Sequence, residues 1–317
     1  MHTPPDRAAA AMPLYPLLNV PHEGGEPSLS PEARVKAGAM LAARRRAGLR
    51  AGLLPDAFRP RHHADALAVQ AEVARALGWP VAGWKCGLPG PGKLVVAPIY
   101  APTVCRSGTG DGSGMTEADV PTARAWTWSA PSSPSARQET GGAEGVVRVE
   151  PELAFVLKAD LPCRAAPWSP QEVDAAIGST HLALELIDSR YELTAVPSFD
   201  DKLADGLVNQ GLFVGPMVGG EAARAAVRFP ITVQVPGQAE VVHEGVMPDG
   251  PPRGPLYWLA EFLRQQGTGL QAGQTVITGS YAGAFNLPVG PVVRLRYGDL
   301  GTLSVRLQAR EGVILPG

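Results

Sequence analysis

The sequence predicts an α+β protein: a helical N-terminal subdomain followed by a mixed, β-rich body. Three observations carry this. Two stretches before residue 80 place apolar residues at helical spacing and end in stop signals. Beyond residue 80 the apolar stretches are strand-length and bounded by Gly and Pro. The stretch 292–307 alternates around a turn. The division falls at residue 80, with 1–80 an arm plus helical subdomain and 81–317 the body.

Residues 1–30 are rich in Pro, Ala and Gly and read as a loosely held arm. A helix is expected over 31–48, with Val35, Met40 and Leu41 apolar and Arg44, Arg45 and Arg46 near its end. Basic side chains there complement the helix dipole and read as a solvated face. No aromatic or recognition motif accompanies them, so a nucleic-acid partner is not expected. His63–Leu77 is a second, Ala-rich helix, with Leu67, Gln70, Val73, Ala74 and Leu77 at helical spacing and Gly78 and Pro80 as stops. His62 and His63 are adjacent, do not share a helix face, and read as surface histidines at a helix start.

Val81–Val96 holds Lys85 in an apolar, glycine-flanked strand, Gly83-Trp84-Lys85-Cys86-Gly87. An ammonium in an apolar, glycine-flanked strand needs an acidic partner. The turn Gly87–Gly92 has no Gly-Lys-Ser/Thr and is not a phosphate loop. Residues 107–147 break the pattern, Gly-rich over Gly108–Gly114 and Ser/Pro/Ala-rich over Ser129–Gln138, which predicts a flexible insertion. Trp126 and Trp128 within it leave two readings: a surface loop with two docked aromatics, or a lid anchored over a site. Further on, Ser169-Pro170-Gln171-Glu172 spells a capping box, with Gly178 as the expected stop. Phe229–Val235 is a strand, Pro255–Gln266 an amphipathic helix ended by Gly267, and Thr275–Gly279 a strand. Val292–Tyr297 and Thr302–Leu307 flank Gly298-Asp299-Leu300-Gly301 as a hairpin.

The chemistry concentrates in Val149-Glu150-Pro151-Glu152-Leu153-Ala154-Phe155-Val156-Leu157. Alternation along a strand puts Glu150 and Glu152 on one face, which Ala154 and Val156 continue into the core. Two bare anions at the mouth of an apolar layer repel and lose hydration. A cation, a shared proton or basic partners would relieve them, and a solvated pair at a strand end is the bland alternative. In His181–Asp188, Glu185 shares a face with Ala183 and Ile187 in the middle of an apolar run, and a buried carboxylate needs partners. Three carboxylates on two strands suit a hard divalent cation such as Mg²⁺ or Mn²⁺.

Composition bounds the rest. A net charge of −2 provides no drive toward nucleic acid or acidic membranes. The three cysteines, Cys86, Cys105 and Cys163, have no metal or redox spacing, which points to a reducing cytoplasm. No apolar run reaches the ~20 residues of a membrane helix. No basic-then-apolar signal peptide is read at the N-terminus.

The E-x-E strand and Leu184-Glu185-Leu186-Ile187-Asp188-Ser189-Arg190 together resemble the 2-keto-4-pentenoate hydratase / 4-oxalocrotonate decarboxylase family of the fumarylacetoacetate hydrolase superfamily. Gly83–Gly87, Trp258-Leu259-Ala260 and Val276-Ile277-Thr278-Gly279-Ser280 extend the resemblance over roughly residues 60–310. It departs at Ala97–Pro102, which lacks an acid, and at Gly206-Leu207-Val208.

The resemblance implies a barrel-like body serving as the catalytic domain and Mg²⁺ or Mn²⁺ held by Glu150, Glu152 and Glu185. It further implies Lys85 and Asp188 in proton transfer or water positioning, and Arg190, Asn209 and Ser280 around the substrate. For Arg190, a structural ion pair is the alternative. The activity it implies is hydration of a 2-hydroxy-2,4-dienoate. The alternatives are decarboxylation of the 4-oxalocrotonate type and C–C hydrolysis of an acylpyruvate. A 2-oxo or 2-hydroxy acid substrate, a place in aromatic catabolism and a homo-oligomer come with it. The departures keep open a different class, an inactive homologue that is a structural partner of a pathway enzyme.

Overall fold

The computed structural model describes residues 26–107, 119–126 and 145–310. Helix α1 (Pro31–Ala47) starts where Ser30 accepts from the Ala33 amide and ends at Gly48, in the left-handed region. Helix α2 (His63–Leu77) is capped by the His62 ring and closed by Gly78. The chain then runs β1 (Val81–Cys86), β2 (Val96–Tyr100), β3 (Val104–Arg106), β4 (Thr122–Ala125), β5 (Val146–Leu157), α3 (Pro170–Ala176) and β6 (Ile177–Ile187). It continues through α4 (Phe199–Ala204), β7 (Asn209–Val218), α5 (Gly220–Ala225), β8 (Arg228–Gln234), β9 (Val241–Val246) and α6 (Gly254–Gln265). Strands β10 (Thr275–Ile277), β11 (Phe285–Pro288), β12 (Val292–Tyr297) and β13 (Gly301–Ala309) complete the described chain. Among the described residues no helix is long and apolar enough to cross a membrane.

Two sheets form. The larger has eight strands in the order β2-β1-β10-β5-β6-β7-β3, with β11 also paired to β5; the smaller runs β4-β13-β12-β8-β9. A small apolar cluster of Ile99, Ala154, Ala183, Leu212, Val214 and Ile277 draws on β2 and β7, far apart in the strand order. The larger sheet therefore curls on itself, enclosing that cluster on its inner face. The outer side of β5, β6 and β7 presents Leu153, Leu182, Leu184 and Phe213 to Val293, Leu295 and Val305 of the smaller sheet. Helices α1, α2 and α6 pack with β1 and β2 in a separate core. The mixed α/β class expected from the sequence is the one observed, with the larger sheet curled on itself.

Several local expectations change. The strand holding Lys85, β1, ends at Cys86, and β2 begins at Val96 beyond the Gly87–Gly92 turn. The capping box of α3 is present, but Gly178 is not its stop. The chain passes from Ala176 directly into β6, and a Cβ on Gly178 would sit 2.9 Å from the Lys158 Cβ, so close approach explains this glycine. The insertion 107–147 contains a strand: β4 pairs in parallel with β13. Trp128 lies outside the described residues with the rest of 108–118 and 127–144, as does the arm before residue 26. Arg45 is not on a solvated face. It is buried, and donates to the Asn209 carbonyl at 2.8 Å and the Asp205 carbonyl at 2.7 Å. A buried guanidinium needs such acceptors, and the end of α1 points it at them.

Candidate metal centre

Strands β5 and β6 pair antiparallel with Glu150 opposite Glu185 and Glu152 opposite Ala183. Alternation then puts all three glutamates on the inner face of the curled sheet, above Ala154 and Ala183. Their carboxylates offer oxygens that all lie within 4.8 Å of one another. Glu152 and Glu185 are buried and Glu150 half-buried. Burial pushes the Glu150 carboxyl up to about 7, with the Glu185 charge adding to it. Burial, then Glu185 and Glu150, holds Glu152 well above the usual carboxylate range.

Lys85 enters from β1, between Ala97 of β2 and Ile277 of β10. Its Nζ lies 2.8 Å from Glu185 Oε1. Burial alone would lower its proton affinity, but the three glutamates together raise it above the usual lysine value. Lys85 also donates to the Leu207 carbonyl at 3.3 Å. Leu207 and Val208 both hold positive φ, 53° and 58°. That conformation is costly for a bulky or β-branched residue. This strained turn aims the Leu207 carbonyl at the lysine, and the Val208 carbonyl accepts from the Asp188 amide at 2.8 Å. Here the departure at Gly206–Val208 is a backbone device rather than a missing side chain.

Asn209 donates to the same Glu185 Oε1 at 2.8 Å. The other oxygen, Glu185 Oε2, is buried with no hydrogen-bond partner, and so is Asn209 Oδ1. A buried acceptor left bare costs ~1–3 kcal/mol. The Gly279 amide donates to Glu152 Oε2 at 2.7 Å. Ser280 Oγ donates to the Gly283 carbonyl at 3.1 Å. A cavity of about 500 Å³ opens over Glu150, Glu152 and Lys85, with Lys93, Asp249, Ser280 and Tyr281 also lining it.

The fold thus brings together Lys85, Glu150, Glu152, Glu185 and Asn209, with Ser280 on the same cavity. It turns the other two expected residues elsewhere. Asp188, expected in proton transfer, is buried against Arg50, with 2.6 Å between Oδ1 and the guanidinium. Arg190, expected at a substrate carboxylate, is buried in a pair with Asp205 at 2.6 Å. Both side chains lie past the end of β6, where the chain turns under the helices, and each takes the nearest opposite charge. Lys93, Asp249 and Tyr281 were not singled out from the sequence; no local pattern marks them, since the loops that carry them meet only in three dimensions.

The donor set fits a divalent cation. Three carboxylates offer hard oxygens, two of them hold protons more tightly than usual, and Glu185 Oε2 has no other partner.

No protein-family model matches the chain. A 4-oxalocrotonate decarboxylase of Pseudomonas sp is 31% identical over 157 residues, covering 50% of this chain and 59% of that one. Over that stretch the chain is similar to this 4-oxalocrotonate decarboxylase. The 4-oxalocrotonate decarboxylase of Pseudomonas putida G7, solved with magnesium and adipate, superposes with a TM-score of 0.65 at 22% identity over 89% of this chain and 100% of that one. The same protein solved with calcium and acetate gives 0.66 at 21% identity over the same shares. These two share the fold of this chain. The curated relative is matched over 59% of its length.

Proposed function

We propose that the chain is a divalent-metal-dependent lyase that decarboxylates a 2-oxo dicarboxylic acid of the 4-oxalocrotonate type. The observation that carries this reading is the bare Glu185 Oε2, facing Glu150 and Glu152 beside Lys85. The name of the curated relative and the magnesium and calcium in the solved relatives support it.

In such a substrate the carboxyl group to be lost sits on a saturated carbon, and that carbon is joined to a carbon–carbon double bond conjugated with the 2-oxo group. When the bond between the saturated carbon and the carboxyl breaks, CO₂ departs and the electron pair moves to the C2 oxygen, giving a dienolate that a proton then quenches. A divalent cation held by the three carboxylates supplies the positive charge that this oxygen and the neighbouring carboxylate need. The chain's own groups do the rest. Lys85 puts a second positive charge at the same place, and its salt bridge to Glu185 keeps the ammonium directed there. The Gly279 amide and Asn209 fix the orientation of Glu152 and Glu185.

Hydration of a 2-hydroxy-2,4-dienoate is a second reading, and one observation favours it. Asp249 lines the same cavity and supplies the acid that the stretch Ala97–Pro102 lacks, where a base for water would be needed. Purified protein with Mg²⁺ is offered 4-oxalocrotonate, 2-hydroxypenta-2,4-dienoate and an acylpyruvate in turn. CO₂ release from the first supports the decarboxylase. Loss of the dienol chromophore of the second with 4-hydroxy-2-oxo acid formed supports the hydratase. Cleavage of the third supports a C–C hydrolase. Turnover of none under metal saturation would sink the enzyme and leave the inactive homologue. The homo-oligomer that accompanies this reading is checked by light scattering.

A further inference from the structure

A second cavity, about 630 Å³, lies away from the metal centre. Leu186 lines it, while its chain neighbour Glu185 points to the carboxylate cluster, so the two cavities use opposite faces of β6. Three guanidinium side chains reach it: Arg46 from the end of α1, Arg124 from β4 and Arg310 after β13. Among the described residues, none that lines it is acidic.

The described partners of these arginines are neutral. Arg46 donates to the Ala76 and Leu77 carbonyls at the end of α2. Arg124 donates to the Gln308 amide oxygen at 3.3 Å. Arg310 donates to the Arg124 carbonyl at 3.2 Å and the Pro102 carbonyl at 3.4 Å. Burial and the charge of Arg124 hold Arg310 below the usual arginine range, the sign expected where like charges are crowded. The chain as a whole is slightly acidic, so this cluster is not the local expression of a basic protein.

The cavity also has an apolar, flat wall. Trp126 lines it, with Arg310 5.9 Å from the ring, and Val104 and Leu186 sit beside it. The indole is held firmly: the Trp126 amide donates to Gln210 Oε1 at 2.7 Å, and Gln210 donates back to the Trp126 carbonyl at 3.1 Å. A volume of this size suits a small organic ligand. Guanidinium forks match the planar oxygens of carboxylates and phosphates.

We propose that this cavity is a binding site, separate from the metal centre, for a small organic oxyanion: a carboxylate or phosphate carried on a planar apolar body. The guanidinium groups take the oxygens and the Trp126 wall takes the body.

Titration calorimetry on the full chain, freed of metal by chelation, tests it with phenyl phosphate, phthalate and inorganic phosphate. One equivalent of phenyl phosphate or phthalate should bind, weakening as salt is raised. The tighter of the two identifies the source of the anion. Inorganic phosphate, lacking the body, should bind at least about tenfold more weakly. Arg124→Glu, an exposed position outside the carboxylate cluster, should weaken binding by about tenfold or more with an unchanged melting temperature. Arg310→Gln should do the same should Arg124→Glu fail to fold. Glu185→Gln should leave binding intact. The absence of saturable binding up to about 10 mM, equal binding by both arginine variants, or loss of binding in Glu185→Gln would each overturn the proposal.

Discussion

Glu150 stands directly opposite Glu185 across the β5–β6 ladder, and the second oxygen of Glu185 has no donor. Like charges in register on neighbouring strands destabilise a sheet. Their retention on a buried inner face makes the pair costly to the empty protein and well suited to a bound cation.

Calorimetric titration with Mg²⁺ or Mn²⁺ should therefore show a single site. Glu152→Gln and Glu185→Gln should abolish binding within the accessible range. Asn209→Ala removes a group that orients Glu185 and should weaken binding ~10–100-fold. Wild-type affinity in all three variants would place the cation elsewhere.

The same carboxylates set the pH dependence. Glu150 is raised to about 7 and Glu152 well above its usual value. Between an unfolded carboxyl value of ~4.3 and the folded values, the folded state binds more protons than the unfolded one. Stability of the metal-free protein should therefore fall as pH rises through this window. Metal must displace those protons, so its affinity should drop as pH falls below about 7, with proton release visible as a buffer-dependent heat. Metal affinity that does not change between acid and neutral pH would contradict the raised values.

Lys85→Met tests the ammonium. Turnover with the substrate that proves active should fall ~10²–10⁴-fold, while metal affinity changes far less. A loss of metal binding with turnover per bound metal unchanged would reduce Lys85 to a structural partner of Glu185.

The buried pair Arg190–Asp205 predicts stability rather than chemistry. Asp205 accepts from Arg190 Nε through both oxygens, at 2.6 and 2.8 Å. Asp205→Asn leaves a buried guanidinium without its counter-charge and should cost ~3–5 kcal/mol in urea unfolding. A change within ~0.5 kcal/mol would mean water compensates Arg190.

Gly48 ends α1 at φ 64°, and a Cβ there would lie 2.4 Å from the Trp126 ring. Gly48→Ala should lose more than the ~1 kcal/mol of a plain left-handed substitution, because the indole must also move. Melting curves check this, and an increase in stability would show that the contact is loose.

Much of the centre was legible from local pattern. Strand parity alone placed Glu150 and Glu152 on one face, and put Glu185 among apolar neighbours. The capping box before α3, Gly78 after α2 and the hairpin of β12 and β13 are likewise decided within a few residues, where backbone geometry and nearby hydrogen bonds dominate.

What the sequence by itself determined, then, is which side chains share a face and where most elements begin and end. Only the tertiary structure decided what those side chains meet. Asp188 and Arg190 lie two residues apart, yet one pairs with Arg50 and the other with Asp205. Arg45 and Arg46 are consecutive, yet one is buried against the Asn209 carbonyl and the other lines the cationic cavity. Lys85 reaches Glu185 across a separation of 100 residues because the larger sheet curls and sets β1 near β6. Ion pairing and burial are satisfied between elements brought together by packing, and no short-range spacing encodes which charge the curl of a sheet will place within 3 Å of another.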